Sequence, residues 1–446
     1  MVFNLSKGLD LPILGAPDQR IDEGRVVAKV AVLGNDYIGL KPTMLVKVGD
    51  IVKLGQPLFE DKKTPGVLVT APAAGTVIEI NRGEKRALLS VVIEKSGKDQ
   101  VEFLSFEPSD LSSLDDDKLR SNLTQSGLWT SFRTRPFNKV PAIDAEADAI
   151  FVNAMDTNPL SADPQVIIAE EKEAFKQGLD VLRSFNVPIH LCKEVGADVP
   201  DSQHVEVSEF SGPHPAGNAS THIHFVMPVS NKRSVWTIAY QDVIAIGKLF
   251  TLGCIDTTRI IALAGPKVDS PRLLRTQLGA DIAELVSESI DEGENRIISG
   301  SVLNGSTAEG QVAYLGRYDQ QISVIEEDRG RHFMGWIALG INHFSKTNAF
   351  LSSIFGRGKL FNLTSSQNGS PRPIVPIGIY EQVMPLDILP TPLLKAIVVK
   401  DTDTLQQLGG LELVEEDVAL LTYVDPGKHD FGPVLRENLT QIELEG

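Results

Sequence analysis

Residues 45–80 read LVKVGDIVKLGQPLFEDKKTPGVLVTAPAAGTVIEI, and this stretch decides how the first part of the chain folds. It holds two short apolar runs with turn signals at both ends. Val46, Val48, Ile51 and Val52 flank a Gly49-Asp50 turn, and Gly55-Gln56-Pro57 makes a second. Leu58-Phe59-Glu60 leads into a charged loop from Asp61 to Gly66 that contains Pro65. Val67-Leu68-Val69 then runs to Ala71-Pro72-Ala73-Ala74-Gly75, and Thr76 to Ile80 alternates again. Strands this short, separated by tight Asp/Gly turns, predict a small flattened β-structure.

The paired halves, KVGDxVxxGQPLFE and VTAPAAGTVIEI, resemble the barrel-sandwich hybrid of biotinyl and lipoyl domains. The resemblance covers residues 1–100 and implies either a swinging-arm carrier or a docking module. In lipoyl domains an Asp-Lys-Ala tip carries the prosthetic group, and here the tip reads Asp61-Lys62-Lys63-Thr64. A carrier would be lipoylated or biotinylated at Lys62. Against it, Lys63-Thr64-Pro65 departs from the tip a ligase recognises, and no flexible Pro/Ala linker follows Ile93. Lys62 and Lys63 then read as solvated turn residues of a docking module.

The chain has 446 residues, enough for three or four domains. Hydrophobic residues at 42% and charged residues at 23% predict a folded globular protein. A net charge of -17 argues against nucleic acid and against direct adhesion to anionic lipid. The opening MVFNLSKGLDLP lacks a basic region followed by a long apolar core, so no secretory signal is expected. No apolar run approaches the roughly 18–20 residues of a spanning helix; the longest, Val243 to Ile255, is interrupted by Lys248. Membrane contact is therefore expected through a partner. Cys192 and Cys254 alone cannot ligate an iron–sulfur cluster or a structural zinc.

Along the chain, Lys7 to Arg25 is a polar lead-in, and Val26 to Leu33 reads as a strand. Leu111, Leu114 and Leu119 fall at helical spacing in an acidic connector, where Asp115-Asp116-Asp117 suits a helix start. AIFVNA, Ala149 to Ala154, is a short strand. Val166 to Phe185 has an amphipathic helical pattern, and Val187 to Leu191 is another strand. Trp236 to Ile246 and Arg259 to Ala264 add strand–helix–strand, giving a Rossmann-like α/β layer over 101–264. Gly and Pro punctuate short strands around one helix, Ile282 to Val286, which predicts a β-grasp-like module over 265–330. Residues 331–446 read as a C-terminal helical domain, with helices at Leu393 to Val398, Glu415 to Tyr423 and Phe431 to Leu444. The fold class is multidomain α+β.

Neither a GxGxxG turn nor a Walker loop is present. His214, His222 and His224 form a cluster, and Thr221 to Val226 reads as strand, which would put His222 and His224 on one face. That permits shared metal ligation or parallel hydrogen bonds to neighbouring loops. No Asp, Glu or Cys lies between His214 and His224, so no metal site is expected.

Six motifs carry a wider resemblance: Gly127-Leu-Trp129-Thr-Ser-Phe132-Arg133-Thr-Arg135-Pro136-Phe137-Asn-Lys-Val-Pro141, Ala154-Met-Asp156-Thr-Asn-Pro159-Leu, Gly212-Pro-His-Pro-Ala-Gly217, Tyr240-Gln-Asp-Val, Leu263-Ala-Gly265-Pro and Tyr314-Leu-Gly-Arg317-Tyr. The chain is similar over essentially its whole length to the A subunits of Na⁺-translocating NADH:quinone reductases (Na⁺-NQR). More distantly it resembles the C subunit of the Rnf complex and the flavoprotein subunit of complex I. The resemblance implies a peripheral subunit on the cytoplasmic face of a bacterial inner membrane. It further implies membership of a six-subunit respiratory-chain translocase that oxidises NADH, reduces ubiquinone and exports Na⁺, with the membrane-embedded B subunit as the expected chief partner. Flavins and iron centres are expected in the partner subunits and none in this chain, which has no complete catalytic site of its own.

Compared with those relatives, bulky Leu128, Trp129 and Phe132 and two arginines stand where a glycine-rich loop would cradle flavin phosphate. Met384-Pro385 and Asp425-Pro426 stand where the Rnf relative has Cys-Pro cluster endings. The Trp129–Lys139 stretch is therefore either a quinone-contacting loop, through Trp129, Phe132, Arg133, Arg135 and Phe137, or a plug in a vacated cofactor pocket. Phe350, Phe355, Arg357, Lys359 and Phe361 form the most apolar-plus-basic segment of an acidic chain. They are candidates for the interface with the membrane partner, the other reading being a core helix end followed by a strand.

Overall fold

The computed structural model describes residues 1–330, 339–355 and 358–445. The stretch at 45–80 folds into two small antiparallel sheets. One joins Lys29–Leu33, Leu88–Lys95, Gly75–Arg82 and Ile51–Val52 in that order; the other joins Pro42–Met44, Pro57–Asp61 and Leu68–Thr70. Alternation of inward Val and Leu with outward polar residues gives each short strand one buried face. The barrel-sandwich architecture follows from closing these faces on each other around Val52, Leu58, Phe59, Val77, Val91 and Ile93.

Residues 1–23, expected as part of the 1–100 module, supply strands elsewhere. Val2–Asn4 edges a six-stranded sheet, pairing parallel with Val205–Ser211. Inward from there the order is Ile189–Glu194, Ala149–Ala154, Val235–Ala239 and Arg133–Arg135, parallel except for the last. Asp18–Glu23 joins the other six-stranded sheet beside Arg272–Gln277.

Arg259–Ala264, read as a strand of the α/β layer, is corrected by its pairing. The segment Thr258–Ala264 runs antiparallel to Arg272–Gln277 and parallel to Gln321–Glu326, inside the β-grasp-like sheet. The continuous apolar run Ile260 to Ala264 lets it sit centrally, buried on both faces. This sheet also shares one core with the barrel-sandwich, since Ile261, Leu263, Leu274 and Ile282 pack with Val30, Leu58 and Val91.

The amphipathic stretch from Val166 is two helices, Pro164–Glu170 and Lys172–Arg183, broken at Glu171. Thr221 to Val226, expected as strand, is helical within Ala219–Val226. Residues two apart on a helix point away from each other, so the shared face expected for His222 and His224 does not form. In the tail, helices Pro390–Val399, Glu415–Val424 and Phe431–Glu445 enclose their own core around Leu393, Leu421 and Leu435.

Helices Lys172–Arg183 and Tyr240–Leu252 cross at two glycines. A Cβ on Gly178 would lie 2.1 Å from the Val243 carbonyl oxygen, and one on Gly247 would lie 2.0 Å from that of Ala174. Only backbone without a side chain permits this approach, which also buries Phe175, Leu179, Ile246 and Leu249. Gly247→Val should cost about 3 kcal/mol in urea unfolding, because the helices must separate and loosen the layer beneath them. An unchanged unfolding midpoint would show that the crossing tolerates a side chain.

Candidate functional site

A cleft opens at the C-terminal ends of two neighbouring parallel strands, where α/β sheets characteristically take ligands. Asp156 follows Ala149–Ala154, and the helix Tyr240–Leu252 follows Val235–Ala239 directly. Arg133 and Arg135 project from the antiparallel edge strand beside them. The β-grasp-like module adds Arg317, Tyr318 and Asp319, and the helical domain adds Glu416. The cleft has room for water over about 190 Å³.

Its charges are arranged in pairs. Asp242 Oδ1 accepts from Arg259 Nη2 at 2.5 Å and from Arg317 Nη1 at 2.9 Å. Arg135 is 3% exposed; it donates to Glu416 at 3.2 Å, to Ser220 Oγ at 3.3 Å and to the Asn138 side chain. The Arg133 guanidinium lies 4.3 Å from the centre of the Tyr318 ring, whose hydroxyl donates to the Thr130 carbonyl at 2.8 Å. Burial pushes the Asp156 carboxyl up to about 6, although it accepts two hydrogen bonds from Asn158. Burial likewise raises Asp319, against the hydrogen bond from Ser299. The cleft is thus a polar surface of fixed arginines and partly neutralised carboxyls, suited to a small polar or conjugated carbonyl ligand.

The five expected quinone-contact residues part company here. Trp129 and Phe132 are 0% exposed and are corrected to core residues. With Phe185 and Trp236 they form one aromatic cluster at ring separations of 5.5 to 6.2 Å, and Trp129 Nε1 donates to the Pro141 carbonyl at 2.9 Å. No ligand ring reaches them without unpacking that cluster. Arg133 and Arg135 line the cleft. Phe137 is half-buried against the core of the helical domain, and its carbonyl accepts from Arg436 at 2.8 Å. The loop is tied to that domain again by Lys139 and Glu443.

Arg317, Asp242, Arg259 and Asp156 were not singled out as site residues. For Arg317, Asp242 and Asp156 the signal lies in the Tyr-Leu-Gly-Arg-Tyr, Tyr-Gln-Asp-Val and Met-Asp-Thr-Asn motifs, which mark a resemblance without assigning a role; Arg259 stands in none of them.

The interface candidates also divide. Phe361 is buried, bridged to Ile13, with its amide donating to the Pro12 carbonyl at 2.7 Å; it is a core residue. Phe350 is half-buried beside His343. Phe355 and Lys359 are exposed, and Arg357 lies outside the described residues.

At the barrel-sandwich tip, Lys62 is exposed while the Asp61 carboxylate accepts from the Lys41 and Lys63 amides. Gly66 packs on Ile143, and Thr70 Oγ1 donates to the Ser126 carbonyl at 2.8 Å. The module is fixed to the α/β layer, without the freedom a carrier uses.

The histidines are structural. His222 stacks on Phe210 with ring centres 4.3 Å apart and donates from Nε2 to the Ala216 carbonyl. His224 accepts the Asp387 amide at Nε2 and donates from Nδ1 to Glu412 at 2.7 Å. His214 bonds Thr157 Oγ1. Among the described residues no group of three His, Cys, Asp or Glu side chains could hold a metal ion.

Residues 3–96 match the family described as the NqrA N-terminal barrel-sandwich hybrid domain, residues 114–255 the NqrA second alpha/beta domain, and residues 260–310 the NQRA C-terminal domain. Curated proteins named as the A subunit of the Na(+)-translocating NADH-quinone reductase match end to end. Those of Actinobacillus pleuropneumoniae serotype 5b and of Neisseria gonorrhoeae strain NCCP11945 are each 55% identical, over 100% of both chains. The chain belongs to the A-subunit family of Na⁺-translocating NADH-quinone reductases. Among solved structures, an NAD⁺-reducing [NiFe]-hydrogenase aligns over 51% of this chain and 52% of that one at 12% identity and a TM-score of 0.33, too low to carry weight. The cleft of this NqrA family member therefore lies between the second alpha/beta domain, the C-terminal matched domain and the helical tail. Among its described residues no helix is long and apolar enough to cross a membrane.

Burial sets a pH dependence. It pushes His222 down to about 3 and His214 down to about 4, so both stay neutral in the fold. Above about pH 6.5 they are neutral in both states and their contribution is complete; as pH falls below that, the unfolded chain takes up protons that the fold refuses, and stability is lost. Buried Asp36 and Asp417, both raised to about 7, act oppositely and gain stability as pH falls through 7 towards the ordinary carboxylate range. The histidine contribution is therefore read by difference. His222→Gln should be relatively more stable at pH 5 than at pH 7.5, by about 2 kcal/mol in urea unfolding. A pH-independent difference would mean that His222 takes up its proton as readily in the fold as in the unfolded chain.

Proposed function

We propose that this chain is the peripheral A subunit of a six-subunit NADH:ubiquinone reductase that exports Na⁺. In this reading it stands on the cytoplasmic face of the inner membrane, scaffolds the membrane-embedded B subunit, and carries no flavin or iron centre. The observation that carries the reading is identity of 55% over the full length of proteins so named. Two local features support the scaffold role. The loop standing where the distant relatives are expected to carry a flavin-phosphate cradle places Trp129 and Phe132 wholly in the core. Asp425, at one of the two positions matched to Cys-Pro endings of the Rnf relative, has its carboxylate occupied by Tyr380 Oη, the Gly427 and His429 amides and His429 Nδ1, all at 2.7 to 2.8 Å. Met384, at the other, is packed in the apolar core of the helical domain. Quinone access, if this chain shapes it, falls to Arg133 and Arg135 at the cleft, whose N–H groups suit a quinone carbonyl.

A tagged chain expressed in its host should bring down five further subunits from detergent-solubilised membranes; a chain recovered alone would overturn the assignment. The isolated protein should show no absorbance near about 450 nm and no iron, and a stoichiometric flavin would end the cofactor-free reading. In the assembled complex, Arg133→Ala should raise the KM for quinone about tenfold and leave the KM for NADH unchanged. Unaltered quinone kinetics would place the quinone site wholly in the membrane subunits.

A further inference from the structure

The parallel strands of the α/β layer lie in the order Val205–Ser211, Ile189–Glu194, Ala149–Ala154, Val235–Ala239, which in chain order is third, second, first and fourth. The direction of succession reverses between the last two. In open parallel sheets, the crevice beyond the carboxyl ends at such a reversal is where ligands sit. The polar cleft occupies that place, between Asn153 and Asp156 on one side and Ala239 and Tyr240 on the other. Its charges do not balance. Arg133, Arg135, Arg259 and Arg317 line it, and the carboxylates bridged to them are Asp242, shared by Arg259 and Arg317, and Glu416, bound to Arg135. Asp156 and Asp319 also line it, but their hydrogen bonds come from neutral donors such as Asn158 and Ser299, and burial shifts both towards the uncharged form. Arg133 is the arginine left open. Its side chain has no hydrogen bond and no ion pair among the described residues, and it is held by the Tyr318 ring, 4.3 Å away. The Arg317 guanidinium lies 5.5 Å from the centre of the same ring. Two like charges gathered on one ring repel each other and favour a counter-anion in the cleft.

We propose that this cleft binds a small polar organic acid, with its carboxylate on the Arg133 guanidinium. Stacking on Tyr318 fixes the plane of that guanidinium and leaves its N–H edge for a bidentate acceptor, which a carboxylate matches. The rest of the lining sets the body of the ligand. Asn158, Ser301, Asn304 and Gln320 are amides and a hydroxyl, so they suit further hydroxyl or carboxyl groups and not a hydrocarbon. The room of about 190 Å³ far exceeds the roughly 30 Å³ of one water, so several heavy atoms fit. The inference goes beyond the quinone reading of the same cleft, in which Arg133 meets a neutral carbonyl. A neutral ligand leaves the arginine excess in place, whereas a carboxylate offsets it within a partly dry site where charge pairing is strong. The net charge of -17 is no obstacle, because the arginines act at contact range while the surface carboxylates are screened over about 10 Å at 0.1 M salt.

The test is isothermal titration calorimetry on the full-length chain with L-malate as probe, in a buffer free of carboxylate and phosphate, with ionic strength held by about 0.1 M sodium chloride. Wild type should bind L-malate saturably, with a Kd of about 1 mM or below. Arg133→Gln removes the guanidinium fork and should weaken binding at least about tenfold. Asn304→Asp sets a like charge on the wall and should weaken it about threefold or more. Both variants should keep the wild-type Tm, since the Arg133 side chain makes no hydrogen bond and Asn304 is exposed. Arg86→Gln, on an exposed turn of the barrel-sandwich, should bind as wild type does. No saturable binding by wild type, or undiminished binding by Arg133→Gln, overturns the proposal. Inorganic phosphate bound as tightly as L-malate also overturns it, because the cleft would then take a bare oxyanion whatever its body. The measurement needs neither quinone nor the other subunits. Its failure leaves the place of the chain in the complex standing, and failure to recover the complex strikes that assignment alone.

Discussion

The carboxylate of Asp242 is the contact on which the arrangement of modules depends. It sits in the first turn of the helix Tyr240–Leu252, where the helix dipole favours an anion. One of its oxygens receives Arg259, at the start of a β-grasp strand, and Arg317, from the loop before Gln321–Glu326. Arg317 reaches on to Ser131 Oγ through its side chain and to Asp36 of the barrel-sandwich through its amide, each at 2.8 Å. Gln241, one residue earlier, exchanges two hydrogen bonds with the backbone of Ile260. Both sides of the Asp242–Arg259 pair are 6% exposed, so removing one partner would strand a buried charge, a loss of about 3–5 kcal/mol in comparable sites. The network ties together polar groups of three modules whose apolar cores also run into one another.

Around that hub the α/β layer divides its crevice into two environments. The apolar side is filled by Trp129, Phe132, Phe185 and Trp236, with the Arg120 guanidinium 5.6 Å from the Trp129 and Phe185 rings. Interiors pack densely, and four large rings occupy volume that small residues would leave empty. The polar side keeps its arginines in place by pairing each with a carboxylate or a ring. Because Arg135, Lys139 and the Phe137 carbonyl are all bonded to the helical domain, the same short loop that closes the apolar side also anchors the tail.

The barrel-sandwich was readable because tight turns fix strand length locally, and Ala149–Ala154 was readable residue for residue because its neighbours are charged on one side and turn-forming on the other. Sheet membership was not readable. Thr258–Ala264 carries the apolar run of any buried strand, and nothing local says whether its partners come from residues before or after it. The segment Thr221 to Val226 failed for a related reason: β-branched and aromatic residues there favour strand locally, while burial of Ile223 and His222 on one side rewards the helix. The candidate site was half legible. Its arginines stand in conspicuous motifs, but Trp129 and Phe132 look the same in sequence whether they face a ligand or a core, and only the positions of Phe185 and Trp236 decide between those settings.

The acidic surplus is distributed with a consistent logic. Glu415, Glu416 and Asp417 fill the first turn of one tail helix, where they complement its dipole. Two of them are also the interior ends of bridges, Glu416 to Arg135 and Glu415 to Arg436, and the third accepts the Asn218 amide. Glu412, just before that helix, holds His224, and Glu443 near the C-terminus holds Lys139. Several of these carboxylates stand where the helical tail meets the α/β layer. Placed there, Glu416, Glu412 and Glu443 each meet a cationic or donor group of the α/β layer, so part of the acidic surplus is used within the fold to hold the helical tail against that layer.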